Sequence, residues 1–153
     1  MPNDAMSQFV YVTYIRTTPE KVWEALTNAD FASQYWFGMR FEGEWTPGTP
    51  WHLRFSDGRN ADHGEVVEAD RPNRLVLKWR NDWKPEFAAE GDATCTITLE
   101  PKDGVVKLSL VHRMERGESG LIGAVSGGWP MILSNLKSLL ETGEVPMKTF
   151  WGA

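Results

Sequence analysis

His112 is the titratable residue whose position most favours a chemical role. It follows Val106, Leu108 and Leu110 at two-residue spacing in VVKLSLVH, so a strand here would place its imidazole on the apolar face. Because histidine titrates near neutral pH, it suits a polar ligand anchor or a general acid–base group at the mouth of a cavity. A neutral core histidine, bonded to backbone or water, is the alternative, and both interpretations stay open.

The other reactive residues lack the spacing that catalysis or metal binding needs. The histidines at 52, 63 and 112 form no His-x-His or His-x-x-x-His pair, so we expect no metal and no cofactor. Cys95 lies on the apolar side of TCTITLE and is expected to be structural. Acid–base catalysis would need an inward carboxylate beside His112, and the sequence shows none.

Eight tryptophans are the unusual feature of the composition. Buried indoles either fill a core or line a cavity, where their N–H groups orient polar ligand atoms. We take as candidate cavity walls the residues at inward strand positions and those on the apolar stripe of the C-terminal segment. The predicted ligand-binding residues are Trp45, Trp51, Leu53, Phe55, Leu77, Trp79, Ile97, Leu110, His112, Trp129 and Leu133.

Local patterns predict the elements that position these residues. FVYVTYI predicts a strand from Phe9, and Thr18 can cap a short helix in TTPEKVWEALT. Asn28 or Asp30 can cap a second short helix that runs to Tyr35. About six antiparallel strands follow, because apolar and polar residues alternate between turn sequences.

The last third of the chain predicts one long amphipathic helix that ends before Gly143. Pro130 suits a first helical turn, so we expect the helix to begin after Gly127 and Gly128. One apolar helix face and one apolar sheet face must cover each other, which indicates an α+β fold. The loop DWKPEFAAEGD could place Trp83 and Phe87 as a flap over a cavity.

Four segments carry a resemblance to a known family: TTPEKVWEALT, Gly64–Glu68 with RPNRLVLKW, LSLVH, and GWPMILSNLKSLLETG. Their order resembles the START-like (SRPBCC) superfamily of the birch-pollen allergen and the polyketide cyclases. It is most similar to the subfamily named for the C-terminal domain of the activator of heat-shock-protein-90 ATPase. The resemblance spans about Phe9 to Gly143. It implies a helix-grip fold, in which a curved antiparallel sheet of about six to seven strands wraps a long C-terminal helix around an apolar cavity, with two short helices after the first strand.

These observations predict that a small hydrophobic or amphipathic ligand binds in an internal cavity between sheet and helix. A cyclase or hydratase-type enzyme that uses the same cavity is one alternative. A protein-interaction module related to chaperone ATPase activation is another. Replacement of His112 should separate the first two, because only catalysis would fall by ~10²–10⁴.

Composition narrows the partners and the location. Sixteen Lys and Arg against 21 Asp and Glu give a net charge of −5 without a basic cluster, so we expect no nucleic-acid binding. No apolar run reaches ~18 residues and no signal peptide is evident, so we expect no membrane partner and a cytoplasmic location. We expect a single domain over 1–153, with a core at about 9–143 and terminal extensions at 1–5 and 144–153. Met147, Phe150 and Trp151 in the tail should dock on the domain or form a homodimer contact.

Overall fold

The computed structural model describes residues 6–150 and has the predicted α+β helix-grip architecture. In chain order the elements are β1 (Ser7–Ile15), α1 (Pro19–Thr27), α2 (Ala29–Tyr35), β2 (Arg40–Gly43), β3 (Pro50–Arg54), β4 (Asn60–Asp70), β5 (Arg74–Asn81), α3 (Pro85–Ala88), β6 (Ala93–Lys102), β7 (Val105–Met114) and α4 (Gly120–Thr142). The prediction of two short helices after the first strand and one long C-terminal helix is confirmed.

One curved antiparallel sheet holds all seven strands in the order β1-β7-β6-β5-β4-β3-β2. Apolar residues alternate along β6 and β7, and their inward side chains form the core together with α1, α2 and α4. The same alternation leaves the outer face of the sheet polar or half-exposed. None of the helices within residues 6–150 is long and apolar enough to cross a membrane.

The N-terminal ends of the two short helices follow the capping rules. The Thr18 side chain accepts a hydrogen bond from the Lys21 backbone N–H at 3.3 Å. Asn28, rather than Asp30, caps α2 by accepting from the Phe31 backbone N–H at 2.9 Å. These local bonds satisfy donors that a helix cannot satisfy itself.

The predicted start of the long helix is wrong, because α4 begins at Gly120 and Pro130 lies inside it. Ser119 caps this earlier start and accepts from the Ile122 N–H at 3.0 Å. Pro130 removes one backbone hydrogen bond, which normally interrupts a helix. Packing of neighbours such as Trp129, which is 3% exposed, holds the helix continuous past the proline.

Gly64 on β4 leaves room for a side chain of β3 to reach the backbone of β5. The Trp51 indole reaches over it, and Nε1 donates to the Lys78 carbonyl oxygen at 3.0 Å. A Cβ at position 64 would overlap that same carbonyl. The glycine of the Gly-x-Val-x-Glu segment is therefore required by backbone proximity.

Candidate functional site

A chain of aromatic rings fills most of the space between the sheet and α4. Trp51 and Trp79 lie 4.5 Å apart between ring centroids, and both contact Phe41. Trp36 and Trp129 extend the chain with an edge-to-face contact at 5.2 Å. Each such ring buries ~150–250 Å² when enclosed. The interior of the helix grip is thus largely occupied by the protein's own side chains.

A cavity of about 150 Å³ remains at one end of this aromatic chain, between the end of β5 and the first half of α4. Its aromatic walls are Trp36, Trp79, Trp83, Phe87, Trp129 and Phe150. Its aliphatic and small walls are Leu121, Ala124, Val125, Gly128 and Ile132. Asp62 and Asn81 supply the polar part. Mostly apolar walls with a few placed polar groups are the composition of small-molecule sites.

Asp62 and Asn81 form a buried polar pair in the cavity wall. They lie opposite each other in the β4–β5 register, and Asn81 Nδ2 donates to Asp62 Oδ1 at 3.0 Å. Burial raises the pKa of Asp62 to about 7. The Trp79 indole and the Asn81 amide oppose this shift in part, although Trp79 Nε1 makes no hydrogen bond of normal geometry. Asp62 can therefore exchange a proton near neutral pH.

His112 is completely buried behind the cavity and does not line it. Trp129 Nε1 donates to His112 Nδ1 at 3.0 Å, so the neutral ring carries its proton on Nε2. That Nε2 has no hydrogen-bond partner within residues 6–150. Burial lowers the pKa of His112 to about 3, which keeps the imidazole neutral at physiological pH. His112 thus orients Trp129, which does line the cavity.

The structure brings only part of the predicted ligand-binding set to the cavity. Trp79 and Trp129 line it, as the strand and helix patterns indicated. The remaining predicted residues lie elsewhere in the fold: Trp45, Trp51, Leu53, Phe55, Leu77, Ile97, Leu110, His112 and Leu133. Apart from the half-buried Phe55, these residues are buried in the core. Alternation identifies the inward face but not how far the tryptophans fill it, and ligand contact at these positions stays a prediction.

Sequence reasoning missed Asp62 and Asn81, although the signal was present. Val66 faces inward on β4, so Gly64 and Asp62, two and four residues earlier, share its face. Continuing the inward series of β5 past Trp79 leads in the same way to Asn81. Both residues were passed over because a carboxylate and an amide are rarely buried.

The other histidines and the cysteine lie outside the cavity wall. His63 Nδ1 lies 2.7 Å from the Asp82 carboxylate on the partly exposed side of the sheet, and the His52 ring lies nearby at 6.4 Å. Cys95 is buried, and burial raises the pKa of its thiol. Within residues 6–150, no three or more His, Cys, Asp or Glu residues are grouped to hold a metal ion.

The loop that contains α3 forms one side of the cavity mouth, where Trp83 and Phe87 had been predicted as a flap. Glu90 fastens this loop to the start of α4. Its carboxylate accepts from the Ser119 hydroxyl at 2.6 Å and the Gly120 N–H at 2.8 Å. Partial burial raises the pKa of Glu90, but these bonds outweigh it and hold the pKa below its ordinary value.

The C-terminal tail forms the other side of the mouth. Asn135 of α4 donates to the Met147 carbonyl at 2.8 Å and accepts from the Met147 N–H at 3.0 Å. Phe150 then lies against Phe37, with ring centroids 5.5 Å apart, and lines the cavity. The tail is therefore docked on its own domain as far as residue 150, while the predicted contacts of Trp151 lie outside the described residues.

A second, wider groove of about 450 Å³ lies between α2, the end of α4 and the tail. It is lined by Gln34, Leu139, Gly143, Glu144, Val145 and Lys148. Most of these side chains are exposed and no buried polar group faces the groove. The smaller cavity at Asp62 is therefore the better candidate site, because a buried carboxylate and a buried amide line it.

Comparisons with known proteins agree with this architecture. The family model for activator of Hsp90 ATPase homolog 1-like proteins matches residues 16–141. No curated protein matches the chain.

Among solved structures, the chain is similar to CalU16 from Micromonospora echinospora, with 18% identity over 94% of this chain and 82% of that chain at a TM-score of 0.71. It is similar to PFC0360w, an HSP90 activator from Plasmodium falciparum, with 24% identity over 87% and 95% of the two chains at a TM-score of 0.69. It is also similar to the Aha1 dimer from Colwellia psychrerythraea, with 19% identity over 90% and 98% at a TM-score of 0.72. At these identities the structural similarity establishes the fold alone.

Proposed function

We propose, from the premise that the chain belongs to the activator of Hsp90 ATPase homolog 1-like family, that it binds a small hydrophobic or amphipathic ligand in the cavity between the sheet and α4. One observation carries the proposal. A partly open cavity of about 150 Å³ has predominantly apolar walls and contains one buried carboxylate, that of Asp62. An empty apolar cavity of this size is able to hold a single aromatic ring.

The arrangement of the rings limits the size of the ligand. In this proposal Trp79 and Trp129 contact the ligand directly, since both line the cavity. Trp51 packs against Trp79 outside the cavity wall and would reach a ligand only if these two rings moved apart. We therefore expect ring-sized molecules rather than sterols or long acyl chains. Burial of apolar ligand surface contributes ~25 cal/mol per Å² before association costs, which supports affinities in the micromolar range for a good fit.

Native mass spectrometry of freshly purified protein, followed by denaturing extraction, tests the proposal. A co-purified small molecule supports it and begins to identify the ligand class. Ala124→Leu should reduce the amount bound at least about tenfold, because the added side chain occupies the mouth. Ser126→Leu is the matched control, since Ser126 lies on the same helix but outside the cavity wall. Equal retention of ligand by both variants would place the binding site elsewhere.

An enzyme of the cyclase or hydratase type is a second candidate, and Asp62 favours it. Sequence analysis did not identify an inward carboxylate, whereas the structure has one whose pKa, raised by burial to about 7, suits general acid–base work. His112 would act here by orienting Trp129. Conversion of the extracted ligand should fall by ~10²–10⁴ in Asp62→Asn if this function holds. If conversion is unchanged in Asp62→Asn, or absent in the wild-type protein, catalysis through Asp62 is excluded and ligand binding is the function that stands.

A protein-interaction role is a third candidate, and the edge strand β1 favours it. Val10, Val12 and Tyr14 are 52%, 41% and 57% exposed on its outer face. A solved structure with this fold is described as an HSP90 activator. Stimulation of the chaperone's ATPase by the wild-type protein, lost on Tyr14→Ser, would support this role. Absence of stimulation at saturating protein would exclude it.

A homodimer through the C-terminal tail stays a prediction. A relative of this fold is described as a dimer, but in this chain Met147 and Phe150 are engaged with their own domain. The native mass spectrum also measures the oligomeric state. A dimer that persists in Phe150→Ser would exclude a contact through that side chain.

A further inference from the structure

Asp62 is a buried carboxylate that forms no ion pair with any residue in the described part of the chain. The Asn81 amide is its hydrogen-bond partner. Asp82 and His63 are the titratable residues that act on it electrostatically, and these two are paired with each other. The lining residues of α4 carry no titratable side chain. In its ionised form, a buried carboxylate of this kind is unfavourable unless a cation or a further donor reaches it.

The walls around Asp62 suit a cation as well as a hydrocarbon. Six aromatic residues line the cavity, four of them tryptophans, and an indole face attracts cations more strongly than other rings. Two rings at the mouth already contact a cation, because Lys84 Nζ lies 5.1 Å from the centre of the Trp83 ring and 5.4 Å from that of the Phe87 ring. The protein's net charge of −5 also attracts cations over longer distances.

We propose that this cavity is a site for a small organic amine, bound with its ammonium group on the Asp62 carboxylate and its ring or short hydrocarbon part against the aromatic walls. The inference rests on the proposed ligand-binding function and adds the chemistry of the ligand. A hydroxyl group would also donate to Asp62, but it leaves the carboxylate charge uncompensated. An ammonium group supplies the missing charge and the donor together.

A proton balance distinguishes an amine from other ligands. The pKa of Asp62 is raised by burial to about 7, so its carboxyl group is partly protonated in the ligand-free protein. An ammonium ion stabilises the carboxylate and lowers that pKa. Roughly half a proton per bound amine should therefore be released at pH 7, and a neutral ligand should release none. Titration calorimetry in buffers of different ionisation enthalpy measures this number.

Three probes of nearly equal shape test the proposal: benzylamine, benzyl alcohol and toluene. Their affinities can be measured by calorimetry or by quenching of the cavity tryptophans at pH 8. We expect benzylamine to bind at least about tenfold more tightly than benzyl alcohol. If benzyl alcohol or toluene binds equally well, the amine inference is wrong and the ligand-binding function stands. If none of the three binds, ligand binding by the cavity fails for ring-sized molecules, and this inference fails with it.

Substitutions test whether Asp62 is the residue that makes benzylamine bind more tightly than benzyl alcohol. Asp62→Asn should abolish the advantage of benzylamine and the proton release, while benzyl alcohol binds within about threefold of wild type. Asp92→Asn is the matched control, because it removes one negative charge outside the cavity wall and should leave the preference intact. Loss of the preference in both variants would indicate a general charge effect and overturn the assignment. If Asp62→Asn does not fold, the probe series and the proton balance on the wild-type protein decide alone.

Discussion

At the level of single residues, Asp62 and His112 make stability depend on pH in opposite directions. Burial raises the pKa of Asp62 to about 7, so the folded state holds this proton where the unfolded chain has lost it. Stability from this group is full below the unfolded pKa of about 3.8 and is lost as pH rises through about 7. We expect Asp62→Asn to gain stability relative to wild type as pH rises from 4 to 8, by up to about 4 kcal/mol. Urea unfolding across that range measures it, and a constant difference would contradict the buried-carboxyl assignment.

His112 gives the reverse dependence. Burial lowers its pKa to about 3, so its contribution is present above the unfolded value of 6.5 and is lost as pH falls towards 3. His112→Phe should cost about 1–3 kcal/mol at pH 7, because it leaves the Trp129 indole N–H unpartnered. That cost should shrink as the pH approaches 4. Thermal unfolding at several pH values checks this, and a cost that grows in acid would show that His112 is protonated in the fold.

The two residues also show where sequence reasoning ends at this scale. Strand alternation placed His112 on the inward face correctly, because side-chain direction follows from local geometry. Its bond to Trp129 joins residues 17 positions apart on different elements, and no local pattern contains it. Asp62 lies on an inward face that the sequence also reveals, but its burial depends on the cross-strand partner Asn81.

At the level of elements, the packing of β3, β4 and β5 requires that position 64 has no side chain. Gly64→Ala would bring a Cβ against the Lys78 carbonyl that accepts the Trp51 indole bond. We expect a loss of about 3 kcal/mol or more in the free energy of unfolding, measured by denaturant titration. Gly123→Ala is the control, because a Cβ there meets nothing within 4 Å. Gly123→Ala should stabilise the helix by about 0.5–1 kcal/mol. Equal effects at both positions would show that position 64 does not need a glycine for the contact between Trp51 and Lys78.

Helix starts were predictable for the two short helices and not for the long one. Thr18 and Asn28 stand at the starts of α1 and α2, and each bonds three residues ahead. The start of α4 was misjudged because Pro130 normally marks a first turn. Ser119 is a local cap that bonds three residues ahead, as Thr18 and Asn28 do. Glu90, about thirty residues away in the chain, reinforces this start by accepting from Ser119 and Gly120. A sequence pattern does not carry such distant partners.

At the level of the whole molecule, three separate parts of the chain close one cavity. The α3 loop contributes Trp83 and Phe87, α4 contributes Trp129, and the tail contributes Phe150. The strands and the long helix could be predicted, because alternation and helix periodicity repeat over many residues. The grip of the sheet on α4 was implied by the family resemblance, whereas the order of the strands was not predicted. The volume of the cavity could not, since it is the small remainder after long-range packing of large rings.

The tail is the part of this enclosure whose attachment depends on one buried polar side chain. Asn135 is fully buried, and its amide makes both a donor and an acceptor bond with Met147. In Asn135→Ala we expect the Met147 amide to lose its protection from hydrogen exchange, while the amides of β6 and β7 keep theirs. The free energy of unfolding should fall by about 1–3 kcal/mol, because both Met147 groups lose their partner.

Release of the tail should also change access to the cavity, because Phe150 lines it. We expect a bound probe such as benzylamine to dissociate several-fold faster from Asn135→Ala than from wild type in stopped-flow fluorescence. Ser138→Ala is the matched control, since it removes an exposed bond to the Glu144 carbonyl at 2.7 Å and leaves the Met147 pair in place. If Met147 stays protected in Asn135→Ala, the packing of Phe150 on Phe37 holds the tail instead. Equal dissociation rates together with a released tail would show that the tail does not control access to the cavity.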